Sequence, residues 1–491
     1  MTETEKAPDQ YKEVTRKTIH GIGWNYLAFG FGRALNIVSI SILAHLLSPK
    51  LFGLVALASL TTDYLSVLSD LGLDSALVQR RQNVEKSANI AFTLDVAAGI
   101  ILTLVTILVA PYAAMLFHEP QATSVIRWAG LTFIVTAVGS ANNALLQREL
   151  NFRKRIIPNL ASSVVKAAIS IGMALTGFGV WSLIAGQLIG TATSSVLLWI
   201  MTPWRPRLDW DSKVGKEMLR FGFPIMSNNA LAVWEQNFDY LVIGILYSSA
   251  QLGIYTLAFR LPQTLVLSML WLITSVLFPA FSSLQDQKEK LKKSFLSSLK
   301  YVQLFVTPLC LGMVVAADPL IRVLFGEQWV AAIPILRVLS LYAWVISMGY
   351  HVGDVYKAIG RPDILIKMSI PLFIVRLILL WIGAQYSLLG VGIAHLIAAS
   401  IELVTRYFVA AYLLKINLLD VVKELTAVVC GVVLFLFALP AIYFTNGSPA
   451  LTQLVVVVIA GGAGYLGAIW VLERNSIFSA LRMFGLRQSN P

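Results

Sequence analysis

Apolar runs of roughly 20 residues recur about fourteen times along the chain, the length an α-helix needs to cross a hydrocarbon core. The pattern predicts helices over Ile19–Leu46, Phe52–Leu73, Ala88–Leu116, Val125–Leu146, Ile156–Thr176 and Val180–Trp199. A second group follows over Phe221–Tyr247, Leu252–Phe281, Phe295–Ala317, Ala331–Ile359, Ile364–Ala384 and Leu389–Leu414, and two more, Leu419–Tyr443 and Leu451–Leu472, complete it. The expectation is an all-α polytopic membrane protein.

The basic residues fall in alternate loops. Lys12, Arg16 and Lys17 precede helix 1, Arg80, Arg81 and Lys86 follow helix 2, and Arg148, Arg153, Lys154 and Arg155 follow helix 4. The same side collects Arg205, Arg207, Lys213 and Lys216, then Lys288, Lys290, Lys292 and Lys293, then Lys357, Arg361 and Lys415, and finally Arg474, Arg482 and Arg487. The opposite loops Gly177–Gly179, Ser248–Ala250 and Thr445–Pro449 hold no Lys or Arg, so the basic side and both termini are expected in the cytoplasm.

Composition sharpens this reading. The chain is 57% hydrophobic and 13% charged, with mean hydropathy +0.74, which excludes an ordinary soluble domain. Its net charge of +12 serves topology rather than nucleic acid, because the cations are spread over loops and not interleaved with aromatics. Cys310 and Cys430 lie in apolar runs and read as inert packing residues. The polar stretch to Lys17 leads into an apolar segment too long for a signal-peptide core. No loop is long enough for a nucleotidase or glycosyltransferase domain, and no phosphate-binding G-x-x-x-x-G-K-[ST] string occurs. No enzyme activity, cofactor or metal is expected.

Shifted by 200 residues, the chain matches itself: LSPKLFGLVALA at Leu47–Ala58 aligns with YSSAQLGIYTLA at Tyr247–Ala258, with Ser48/Ser248, Gly53/Gly253, Leu57/Leu257 and Ala58/Ala258 identical. An even number of spans per repeat predicts two parallel six-helix lobes related by a pseudo-two-fold axis along the membrane normal. The expected organisation is a cytoplasmic N-terminal segment 1–18, an N-lobe 19–201, a linker 202–215, a C-lobe 216–415, helices 13 and 14 over 416–473, and a cytoplasmic tail 474–491.

An ionisable group at the bilayer centre costs ~2.5–3.5 kcal/mol on insertion scales, so intramembrane charges mark a partner or a wet cavity. Helix 1 places Asn25, Arg33 and Asn36 near one face, and helix 2 aligns Ser59, Asp63, Ser66 and Asp70. In the second half, Asn228, Glu235 and Asp239 share a face of helix 7, and Thr256, Arg260 and Gln263 share one of helix 8. Lys166 lies on a polar stripe with Asn159, Ser162 and Ser170, and Arg376 lies near mid-membrane in helix 11. The bland reading makes Arg33–Asp63 and Arg260–Asp239 ion pairs that pin adjacent helices. Ser347, His351 and Asp354 in helix 10, and His395, Glu402 and Arg406 in helix 12, read as proton relays or, for Glu402 and Arg406, as a within-helix salt bridge. Trp24, Trp204, Trp210 and Trp329 read as interfacial anchors. Gly222, Pro224, Pro262 and Pro279 are expected to let helices 7 and 8 bend.

With LSPKLFGLVALA, SDLGLDSALVQR at Ser69–Arg80, LQRELNFRK at Leu146–Lys154, VLFPAFSSLQ at Val276–Gln285 and LFGEQW at Leu324–Trp329 in order, the chain resembles the polysaccharide transporter family, particularly the Wzx-like exporters of colanic-acid and similar pathways. The resemblance implies the superfamily that also holds multidrug extruders and lipid II flippases: twelve core helices around a cavity, here with two added. It implies flipping of a polyprenyl-diphosphate-linked oligosaccharide across a bacterial or archaeal cytoplasmic membrane. A polymerase and glycosyltransferases of the same pathway are its implied partners.

On that reading Arg33, Lys166, Arg260 and Arg376 hold the diphosphate, with Asn36, Asp63, Asn228 and Gln263 lining the cavity. Glu235 and Asp239 are the first candidates for ion coupling, ahead of Asp354 and Glu402. The alternatives are a cation-coupled multidrug antiporter, which calls for an acidic cavity, a lipid II-type flippase, and a scaffold without transport, which has no need of charge stripes in both halves.

Overall fold

The computed structural model describes residues 30–69, 71–149, 151–207 and 209–474, all in helices, turns and loops with no strand among them. Lys12, Arg16, Lys17, Trp24, Asn25, Asp70, Arg482 and Arg487 lie outside the described residues. Eleven helices among the described residues are long and apolar enough to cross a bilayer. Every backbone polar group must be satisfied within a spanning segment, and apolar helices meet that condition.

The chain divides into two compact units between Gly253 and Ile254. The first holds α1 (Gly30–Leu46), α2 (Pro49–Ser66), α3 (Leu73–Gln79), α4 (Val84–Leu116), α5 (Ala122–Gly130), α6 (Thr132–Arg148), α7 (Phe152–Leu175), α8 (Val180–Met201) and α9 (Ser212–Leu246). Helix α10 (Ser249–Pro262) begins at its end.

Expected helix 2 is broken. Gly72 adopts φ 67°, a left-handed conformation that glycine takes without strain, and α3 restarts beyond it. The C-terminal carbonyls of α3 are received by Arg148, whose Nη1 donates to Leu77 at 3.3 Å, to Val78 at 3.2 Å and to Arg80. This cation, expected simply to orient the chain, is a helix cap. Helix 7 starts earlier than its apolar run because Asp211 caps α9, accepting from the backbone N–H groups of Lys213 at 2.9 Å and Val214 at 3.3 Å.

Lipid offers no hydrophobic drive for helices to associate, so packing and interhelical hydrogen bonds hold them, each bond worth about 0.6 kcal/mol on average. In the first unit Ser195 Oγ and Trp199 Nε1 of α8 each donate at 2.7 Å, to the Val135 and Val138 carbonyls of α6. The identical glycines of the repeat also find a use there. A β-carbon on Gly53 would lie 1.6 Å from the Ser249 carbonyl oxygen, and one on Gly253 would lie 2.0 Å from that of Pro49.

The second unit continues through a π-helical turn (Gln263–Leu267), α11 (Ser268–Ser282), α12 (Lys288–Val315), α13 (Ala317–Leu324) and a 3-10 turn (Glu327–Ala332). It ends with α14 (Ile333–Gly349), α15 (Val352–Ala358), α16 (Asp363–Tyr386), α17 (Leu388–Leu414), α18 (Leu418–Glu424), α19 (Thr426–Phe444) and α20 (Ala450–Leu472). Lys288, Lys290, Lys292 and Lys293, expected in a loop, form the first turns of α12. Expected helix 10 breaks at Tyr350–His351 into α14 and α15.

Trp329, expected at an interface, is fully buried. The short segment around it is held by Arg322, which pairs with Asp318 at 3.1 Å and with Glu327. Those bonds raise the guanidinium's pKa. The added helices α19 and α20 pack on α12 through Cys430, Leu434, Ala438, Val457 and Tyr465, and both cysteines are free and buried. At the α20 end, Lys300 of α12 pairs with Glu473 at 2.6 Å and Glu424 at 3.8 Å, while Thr426 Oγ1 donates to Glu473 at 2.6 Å.

Candidate functional site

In the first unit the expected polar residues fall on α1, α2, α7 and α9. Arg33 and Asn36 are half-buried on α1, and Asp63 is exposed on α2. Ser66 Oγ donates to the Asp63 backbone carbonyl at 2.6 Å, and no described cation lies within ion-pair distance of the carboxylate. The Arg33–Asp63 pair is therefore not formed. On α9, Asn228 and Glu235 are exposed whereas Asp239, one turn beyond Glu235, is 2% exposed.

Helices α2 and α9 meet through Tyr64 and Trp234, whose ring centroids are 4.8 Å apart. Asp63 directly precedes Tyr64 on α2, and Asp239 follows Trp234 by five residues on α9. Sequence reasoning missed this aromatic contact. The usable signal was an indole one position before a mid-helix carboxylate.

Lys166 is exposed on α7, and its ammonium donates to Gln187 Oε1 of α8. Its stripe partners differ: Asn159 is exposed, Ser162 half-buried and Ser170 buried. Gln187 had escaped notice because it is the lone amide in an apolar, glycine-containing run. Helix α7 is long and apolar enough to cross a bilayer, so an exposed ammonium on it requires water at that position.

In the second unit Arg260 is half-buried at the end of α10, immediately before the π-helical turn, and Gln263 opens that turn exposed. The wider turn shows in the bond from Ser268 Oγ to the Gln263 carbonyl, 2.9 Å across five residues. Single π-turns inside long helices concentrate at functional sites. Pro262 precedes it, which frees a backbone acceptor where the helix widens.

Arg376 of α16 donates to the Tyr342 hydroxyl at 2.7 Å and lies 5.8 Å from the centroid of the same ring. Tyr342 in turn packs on His395 at 4.9 Å and Phe259 at 6.0 Å. The guanidinium thus rests on an aromatic wall from α10, α14 and α17, a contact that holds it in place by cation–π attraction and a hydrogen bond.

The expected relay in helix 10 is not a connected chain. Ser347 accepts from Gln303 Nε2 at 2.8 Å and donates to the Trp344 carbonyl at 2.6 Å. His351, 2% exposed, packs its ring 5.1 Å from Phe295, and neither ring nitrogen has a hydrogen-bond partner among the described residues. Asp354 pairs with Lys357 at 3.2 Å. On α17, Arg406 and Glu402 form the within-helix pair at 2.5 Å, so the bland reading of those two is the one the structure takes.

At the N-terminal end of α9, Arg80 pairs with Glu217 at 3.0 Å, Lys86 with Asp211 at 2.9 Å and Arg207 with Glu85 at 3.6 Å. The hydrogen bond from Lys86, then those from the α9 backbone, hold the Asp211 carboxyl below its ordinary pKa.

A family described as "Polysaccharide biosynthesis protein" matches residues 42–334. The chain is 27% identical over 403 residues to the lipopolysaccharide biosynthesis protein WzxC of Escherichia coli (strain K12), covering 81% of each chain. It is 28% identical over 356 residues to the succinoglycan biosynthesis transport protein ExoT of Rhizobium meliloti (strain 1021), covering 72% of each. Among solved structures, the lipid II flippase MurJ in an inward closed conformation superposes with a TM-score of 0.74 at 17% identity, covering 92% of this chain and 99% of that one. An inward-facing multidrug resistance MATE family transporter superposes with a TM-score of 0.63 at 17% identity, covering 78% and 94%. At that identity the two structures establish the fold alone, an all-α polytopic architecture.

Proposed function

This chain belongs to the family of polysaccharide biosynthesis proteins, and from that premise we propose that it flips a polyprenyl-diphosphate-linked oligosaccharide across the cytoplasmic membrane by alternating access. The names of its relatives, a lipopolysaccharide biosynthesis protein and a succinoglycan transport protein, support the substrate class. The observation that carries the reading is that Lys166 and Gln263 are exposed on helices long and apolar enough to cross a bilayer, with Asp63 and Glu235 exposed on the second and seventh spans expected from the sequence.

The chain is read as non-enzymatic: it supplies a wet path for the anionic head while the polyprenyl tail stays in the bilayer. Arg33 and Lys166 of the first unit, and Arg260 and Arg376 of the second, are the proposed diphosphate ligands. Guanidinium forks suit phosphate geometry, and Tyr342 presents that of Arg376. Asn36, Asp63, Asn228 and Gln263 are the proposed polar lining.

Coupling to an ion gradient falls first to Glu235 and Asp239, which lie one turn apart on α9, ahead of Asp354 and Glu402. The N-lobe 19–201, linker 202–215, C-lobe 216–415 and added helices 416–473 are the proposed moving parts, with both termini cytoplasmic. A polymerase and glycosyltransferases of the same pathway are the proposed partners.

Export in a strain dependent on this chain tests the reading. Arg33→Ala, Lys166→Ala, Arg260→Ala and Arg376→Ala should each reduce surface glycan at least tenfold with near-normal membrane levels of protein, on the scale of a lost charge-assisted contact. Full export by all four variants would contradict the assignment.

A further inference from the structure

Trp234 sits where a membrane tryptophan is not expected. It lies twelve residues before the end of α9 at Leu246, about 18 Å along the axis at the standard helical rise, which is near mid-depth of the seventh span expected from the sequence rather than at the interfacial level where indoles anchor. Packed against Tyr64, it is still 47% exposed.

Two exposed carboxylates flank the contact: Asp63 precedes Tyr64 on α2, and Glu235 follows Trp234 on α9. Hydrocarbon does not tolerate such groups within a span, so with the expected second and seventh spans in the bilayer the indole shares its surroundings with water. The Tyr64 hydroxyl is buried and has no hydrogen-bond partner among the described residues.

An exposed indole between carboxylates has the features a sugar ring requires. A pyranose offers one C–H face that stacks on an aromatic ring and a rim of hydroxyls that donate to carboxylates. The Tyr64 ring already fixes the indole, which reduces the ordering cost of binding. The same carboxylates repel a diphosphate, so the phosphates and the sugar need separate places.

We propose that Trp234, flanked by Asp63 and Glu235 and backed by Tyr64, is a glycan-recognition subsite that stacks one uncharged sugar ring of the lipid-linked substrate. This rests on the flippase reading above. It divides the acidic pair of α9: Glu235 meets sugar hydroxyls, and the buried Asp239 keeps the coupling role.

The test compares two probes, undecaprenyl diphosphate and undecaprenyl-diphospho-glucose, binding to the full chain in phosphatidylethanolamine/phosphatidylglycerol nanodiscs. The unaltered chain should bind the glucosylated lipid about tenfold more tightly, the value of one good stacked contact. Trp234→Leu should erase that preference while leaving the bare lipid within about twofold, and Trp234→Tyr should keep most of it. Retained preference in Trp234→Leu, or equal loss of both lipids, overturns the subsite. Displacement of the glucosylated lipid by tetraphenylphosphonium, itself dependent on Trp234, also overturns it and assigns the indole to organic cations. Failure of the unaltered chain to bind either lipid removes the flippase reading itself, and the subsite with it.

Discussion

A β-carbon on Gly222 of α9 would lie 1.9 Å from the carbonyl oxygen of Leu71. The start of α9 and the break between α2 and α3 therefore meet backbone to backbone, with the Arg80–Glu217 pair beside the contact. Any side chain at 222 must push the two apart. Gly222→Ala should expose a cysteine placed at Ser69 to added thiol reagents and reduce export severalfold. Glu217→Gln, which removes a half-exposed surface pair worth about 0–1 kcal/mol, should leave both nearly unchanged.

The Lys300–Glu473 pair ties α12 to the end of α20, and its two halves are unequally replaceable. Glu473 is 4% exposed, so Lys300→Met leaves its carboxylate without its ammonium, a loss of roughly 3 kcal/mol for a buried pair. Glu473→Gln should cost less, because Lys300 retains Glu424 at 3.8 Å. Thermal unfolding in detergent should rank the chains unaltered, Glu473→Gln, Lys300→Met in falling order. Equal melting of all three would dismiss the pair as a fastener.

Acid should loosen the start of α9. The folded Asp211 carboxyl titrates below its unfolded value, by the Lys86 bond first and the α9 backbone bonds next. Its contribution is thus complete above the unfolded pKa, about 3.9, and is lost as pH falls through the lower folded one. Hydrogen exchange at the Lys213 and Val214 amides should show protection at pH 5 that declines below about pH 4. Asp211→Ala should lack that protection at both pH values.

Topology has its own check. Lys290 at the start of α12 and Ser448 between α19 and α20 are both exposed. Single cysteines at the two positions, in a chain without Cys310 and Cys430, should label from opposite sides, that at Ser448 from outside. Labelling from one side would contradict the alternation of basic loops.

The apolar runs made most of the helices legible, because length and hydropathy alone decide whether a segment can cross lipid. What they hid were interruptions and partners. The break at Gly72 is set by the approach of Gly222, a contact between residues far apart in sequence. Trp329 looks interfacial from its place in LFGEQW, yet the fold buries it. Lys166 and Arg376 were legible as intramembrane cations, but Gln187 and Tyr342 were not legible as their partners, since neither stands out in an apolar run. The i, i+4 pair of Glu402 and Arg406 was readable because its geometry is local to one helix.

The most direct measurement follows the substrate between leaflets. Proteoliposomes holding this chain and an undecaprenyl-diphospho-oligosaccharide should make the inner-leaflet pool accessible to an added glycosidase, faster than protein-free vesicles and in response to an imposed proton or sodium gradient. Lys166→Ala should abolish the acceleration, and Asp239→Asn should abolish the gradient response first. Accessibility no greater than in protein-free vesicles, from protein that is folded and inserted, would contradict the flippase account.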